Sequence, residues 1–139
     1  MFKLASFALF ALVSSVPLTQ AAAPFNAVFA GNYDGIATLK TVTGDSLYYS
    51  PLRFKINKVG VITGTAYNDR TKVLNKVTGK INKVTVQYGM IYTGKAAGKF
   101  ADGTKWTAEL NNVKGQSGKI ISGNARKGAF TGTISLTNK

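Results

Sequence analysis

From Phe25 onward the chain alternates apolar and polar positions with a period of two, and no helical period persists. Leu52-Arg53-Phe54-Lys55-Ile56 sets apolar residues on one face and cations on the other. Lys105-Trp106-Thr107-Ala108-Glu109-Leu110 repeats the scheme, with Trp106, Ala108 and Leu110 inward. Phe130, Gly132, Ile134 and Leu136 do the same against outward Thr131, Thr133 and Ser135. A strand buried on one face and wet on the other requires this pattern. Turn signals fall between the runs: Asn32, Asp34-Gly35, Gly44-Asp45, Asn57 to Gly60, Asn68-Asp69, Asn82-Lys83, Asp102-Gly103, Asn111-Asn112, Gly115 to Gly118 and Lys127-Gly128. Together they predict eight to nine strands, at roughly 28–41, 47–57, 61–68, 73–82, 84–93, 95–101, 104–111, 119–125 and 128–137.

A faint internal echo supports a repeated hairpin unit. Lys58-Val59-Gly60-Val61-Ile62-Thr63-Gly64-Thr65 parallels Arg126-Lys127-Gly128-Ala129-Phe130-Thr131-Gly132-Thr133. Ile/Leu-Asn-Lys-Val recurs at Ile56, Leu74 and Ile81. Glycines expected inward, at Gly64, Gly79, Gly123 and Gly132, let strands coil or let a second backbone approach. A coiled antiparallel meander tends to close on itself and so remove its edges. The expected fold class is therefore all-β, a single antiparallel meander of eight to nine strands. It forms a closed or nearly closed up-and-down barrel, with a two-sheet β-sandwich as the alternative.

The first 21 residues read differently. Met1-Phe2-Lys3 is a short basic start, Leu4 to Val16 is apolar with only serines as relief, and Pro17 ends the run. Thr19-Gln20-Ala21-Ala22-Ala23 supplies small residues for a peptidase, so cleavage is expected after Ala21 or Ala22. The apolar run of about 13 residues is short of the roughly 20 that span a bilayer, and no second hydrophobic run follows. The reading is a secretion signal at 1–21 and one all-β domain at 22–139, secreted or periplasmic, with no transmembrane span once the signal is removed.

Composition sharpens this picture. The chain has no cysteine, so the domain must stand on an ordinary core, which is common for exported bacterial proteins. Eighteen Lys and Arg oppose five Asp and Glu, a net charge of +13 that falls to +12 when Lys3 leaves with the signal. Such a surface attracts polyanions. Outside the cytoplasm these are lipopolysaccharide, teichoic acids, acidic polysaccharide, anionic lipid surfaces and extracellular DNA. Arg53, Lys55, Lys76 and Lys80, with Thr78, are expected to face outward on neighbouring strands as one cationic face. Export argues against nucleic acid as the partner.

The chain is poor in catalytic groups. It has no His and no Cys, which removes Ser-His and Cys-His chemistry and the commonest transition-metal sites. Asp34, Asp45, Asp69 and Asp102 all sit in turn contexts, and Glu109 is expected to pair with Lys105 on the surface. No nucleophile elbow, phosphate-binding loop or dinucleotide fingerprint is present. The reading is a non-enzyme without a cofactor or metal. Aromatic residues offer a second possibility. Phe54, Trp106 and Phe130 are expected in the core, while Tyr88 and Tyr92 share a strand face and with Trp106 would wall a small-ligand pocket.

Gly31-Asn32-Tyr33, Gly60 to Tyr67 and Thr104-Lys105-Trp106-Thr107 resemble the strand spacing of avidin-like barrels. Ile121-Ser122-Gly123-Asn124 followed by Phe130-Thr131-Gly132 is similar to the closing strands of transferrin-binding-protein-like lipoprotein barrels. Both resemblances imply an up-and-down meander and no more. Tyr33 stands where an avidin carries tryptophan, Trp106 is the only indole, and no lipid-anchor cysteine exists. The expectation for function is an exported, non-catalytic barrel that binds an anionic envelope or extracellular component through its basic surface. The alternatives are a small-ligand barrel and an interaction module for an envelope protein.

Overall fold

The computed structural model describes residues 27–114 and 118–139. The expected signal at 1–21 lies outside the described residues. A short 3₁₀ turn, Ala27–Phe29, leads into eight strands: β1 (Gly31–Lys40), β2 (Ser46–Ile56), β3 (Val61–Asn68), β4 (Val73–Gln87), β5 (Ile91–Phe100), β6 (Lys105–Val113), β7 (Ile120–Lys127) and β8 (Phe130–Asn138). Each pairs antiparallel with the next, and β8 returns to β1 from Tyr33↔Asn138 to Lys40↔Thr131. The result is a closed up-and-down barrel; the sandwich is excluded. Among the described residues no helix is long and apolar enough to cross a membrane.

One stretch departs from the expected pattern. The strands expected at 73–82, 84–93 and 95–101 are two long strands, β4 and β5. Asn82-Lys83 is not a turn but an irregularity, where the β4–β5 register slips between Ile81 and Lys83. The chain reverses instead at Tyr88-Gly89. Both have positive φ, 55° and 66°, and Met90 N–H donates to Gln87 C=O at 3.0 Å. Two successive positive φ values characterise the hairpin turn whose twist matches the flanking strands. Three other expected turns also lie inside strands, Asn32 being the second residue of β1. Asn111-Asn112 is in β6, and Asp34-Gly35 is in β1 beside a register slip.

The alternation is realised as an apolar interior. Tyr33, Leu39, Tyr49, Leu52, Phe54, Ile62, Phe100, Trp106, Leu110, Ile121, Ile134 and Leu136 are all buried in one cluster. The indole of Trp106 packs on the Phe54 ring with centroids 4.9 Å apart. It lies over Gly79 and Gly98, where a Cβ would come within 2.6 Å of its ring, so only glycine leaves room for it. The indole Nε1 is buried without a hydrogen-bond partner. Phe130, expected in the core, is only partly buried and carries the Arg70 guanidinium 5.3 Å above its ring.

The two ends of the barrel are closed by different means. At the β1 start, Phe29 is buried, and the Tyr33 hydroxyl donates to its carbonyl at 2.6 Å. Asn112 and Lys119 hold the same segment through the Val28 and Ala30 carbonyls, each at 2.8 Å. At the far end the Tyr49 hydroxyl donates to Asp102 at 2.7 Å and lies 2.8 Å from the Thr104 hydroxyl. Thr104 donates to the other Asp102 oxygen through its backbone N–H (3.0 Å) and its hydroxyl (2.7 Å). Burial alone would raise the Asp102 pKa, but these hydrogen bonds and nearby Lys127 outweigh it and hold the carboxyl below its ordinary value. Burial pushes the Tyr33 and Tyr49 hydroxyls well above the usual phenol range.

Candidate binding face

The three residues expected to wall a pocket are not brought together. Tyr88 is 88% exposed at the tip of the β4–β5 hairpin, because the turn takes it out of the strand. Tyr92 is partly buried against the core. Its β6 partner is Asn112, whereas the partner of Trp106 is Gly98, six positions further along β5 and so about 20 Å away. Trp106 is 2% exposed within the packed cluster. Side chains occupy the interior at this level, so the stripe of Tyr88, Tyr92 and Trp106 is corrected to a turn tip, a partly buried flank and a core residue.

Arg53, Lys55, Lys76 and Lys80 all project outward. Register places Arg53, Thr65 and Lys76 in one cross-strand row, with Lys55, Thr63 and Thr78 in the next. Arg53 is not free: its Nε lies 3.6 Å from Asp34, which also meets Lys139 Nζ at 3.5 Å. Asp34 is thus a half-exposed strand residue of β1 that meets two cations, rather than a turn residue. The expected Lys105–Glu109 ion pair is absent among the described residues. Four positions along a strand span about 13 Å, beyond side-chain contact. Across the ladder Glu109 faces Lys95 instead.

The denser cationic feature lies on the opposite wall. Continuing the Lys55–Thr63–Thr78 row, Thr78 pairs with Lys99, Lys99 with Lys105, Lys105 with Arg126, Arg126 with Thr131, and Thr131 with Lys40. Three exposed cations therefore stand directly opposite one another on β5, β6 and β7. Directly opposed residues of a ladder have their Cβ atoms about 4.5–5.5 Å apart, and like charges there are destabilising. None of the three has an acidic partner within ion-pair distance among the described residues.

Beside this row runs a second, built of small side chains: Ala97, Thr107, Asn124, Thr133 and Thr38. Beyond it lies a third, of Lys95, Glu109, Ser122 and Ser135. On β5 and β6 small residues lie between longer ones and leave a shallow trough, which stays bounded by Arg126 on β7 and opens toward Ser122 and Ser135 on its other side. Two depressions in the surface follow it. One is bounded by Lys95, Ala97, Glu109 and Ser122, the other by Lys105, Arg126, Thr131 and Thr133, and they meet at Thr107 and Asn124. Sequence reasoning missed this arrangement because Lys99, Lys105 and Arg126 lie apart in sequence and only the register aligns them. Among the described residues no three carboxylates gather into a metal-holding group.

Comparison of the chain with known protein families, with curated proteins and with solved structures gave no match. The geometry of this face is therefore the ground for a functional reading, since a barrel fold by itself supports many functions.

Proposed function

We propose that this chain is an exported, non-catalytic β-barrel that binds an anionic envelope or extracellular component through its basic outer surface. The observation that carries the reading is the unneutralised cross-strand row Lys99–Lys105–Arg126. A sheet built for stability alone would set opposite charges or neutral residues in those positions, as it does where Asp34 faces Arg53. An anion lying over the row supplies the missing counter-charge. The excess of eighteen basic over five acidic residues adds long-range attraction. The apolar leader at 1–21 and the lack of cysteine support export, to the periplasm or beyond, where the polyanion is envelope material rather than cytoplasmic nucleic acid.

The test is chromatography of the purified mature chain on heparin resin and on lipopolysaccharide-coated resin. Retention at low salt that is lost progressively as salt rises is expected, because each neutralised anionic group releases counterions. Passage through both resins at low salt would overturn the proposal.

A further inference from the structure

We infer that the trough across β5 to β8 is the binding site, and that its occupant is a linear acidic polysaccharide lying across the strands. This rests on the function proposed above and names its site and ligand class.

Direction comes first. The row Lys99–Lys105–Arg126–Thr131–Lys40 crosses five consecutive strands of a closed barrel, and so curves with it. Adjacent strands are about 4.8 Å apart, which spaces its groups at nearly regular steps. A chain molecule can follow that curve, whereas a flat bilayer touches only part of it.

The chemistry of the trough narrows the class. None of the large exposed hydrophobic residues lies in it between β5 and β8; Ile36 and Tyr48, which continue the adjoining rows onto β1 and β2, stand singly beyond its end, too few to anchor it among acyl chains. No exposed aromatic ring stands beside the three cations, so there is no platform on which nucleic-acid bases would stack. Its floor presents Thr107, Asn124 and Thr133, exposed side chains that can donate to and accept from hydroxyls. Its far wall carries the Glu109 carboxylate beside Ser122. Glu109 faces Lys95 across the ladder, so this edge offers a uniformly charged polymer such as polyphosphate little net attraction, while the carboxylate accepts hydrogen bonds from sugar hydroxyls. Three adjacent cations on one edge, against hydroxyl, amide and carboxylate groups with the single cation Lys95 on the other, match a polymer that has acidic groups mainly along one side and hydroxyls along the other.

The experiment measures binding of the intact mature chain to size-defined heparin, polygalacturonate, polyphosphate and phosphatidylglycerol vesicles across a salt series. Two charge-matched double variants are compared, K105T/R126T in the trough and K55T/K76T outside it. Thermal melts verify that both fold. The trough pair is expected to weaken polysaccharide binding more than about tenfold and to reduce the salt slope by about two, one for each lost contact. The outer pair is expected to stay within about twofold. Equal losses from both pairs would overturn the site while leaving the proposed function standing; absence of binding to every polyanion would overturn the function itself. E109Q is expected to weaken polysaccharide binding and to leave polyphosphate binding equal or stronger. The reverse result, or tighter binding to vesicles than to either polysaccharide, would overturn the ligand class.

Discussion

The two faces of the β6–β7 wall obey different rules, although they are made of alternate residues of the same strands. Inward, Trp106, Leu110, Ile121 and Ala125 are buried, and the indole needs Gly79 and Gly98 beneath it. Every choice there is set by what the neighbouring side chain leaves room for. Outward, Lys105 and Arg126 oppose each other, and neither meets an acid. Packing demands neither of them, and electrostatics disfavours the pair. The inner face therefore records the requirements of the barrel, and the outer face records something that the barrel alone does not need.

Substitutions should separate the two faces by the sign of their effect on stability. The largest effect is expected inside, where Trp106→Ala empties the space between Phe54 and the two glycines and should cost about 3–5 kcal/mol. Urea unfolding would measure it, and a loss below about 1 kcal/mol would break the contrast. At the polar end of the interior, Tyr49→Phe removes a donor from Asp102 and should cost about 1–3 kcal/mol. Its signature is in the pH dependence. The carboxyl of Asp102 is held below its ordinary value when folded, so its stabilisation is present above the unfolded pKa of 3.8. That stabilisation is lost as pH falls through the lowered folded value. Acid titration of stability should therefore be shallower below about pH 4 in the Tyr49→Phe chain than in the parent.

The smallest effect has the opposite sign. Lys105→Thr relieves two like-charge contacts and should stabilise the fold by a few tenths to about 1 kcal/mol at low salt, with the gain fading as salt rises. Arg53→Thr, which discards a cation that already faces Asp34, should show no gain. Parallel thermal melts of the two variants would decide whether the two cationic surfaces differ as their registers indicate.

Much of the fold was legible because burial on one side leaves a period of two that survives without any knowledge of the partners. Phe54 and Trp106 could be placed inside from their own strands, and Gly64, Gly123 and Gly132 do sit where a Cβ would strike a neighbouring carbonyl. The misreading between Asn82 and Lys95 has a local cause. Asn-Lys reads as a turn by composition, yet the strand absorbs it as a slip in register, while an aromatic residue, Tyr88, takes the left-handed conformation usual for Asn or Gly. The candidate site was less legible. Lys99, Lys105 and Arg126 are unremarkable one by one, and what distinguishes them is adjacency across three strands. Period-two reasoning finds the face of a residue but not its neighbours.

Closure between β1 and β8 also bears on how the chain reaches this structure. β8 is hydrogen-bonded on both sides, to β7 and to β1, so its arrival seals two edges in one event. The contacts it makes with β1 join residues at opposite ends of the described chain, the kind of distant pairing that slows folding. Until that last strand docks, seven strands can be in place and still offer two unpaired ladders to any passing strand. The native barrel has no edge to protect, and its hazard falls instead in the interval before its last strand is added.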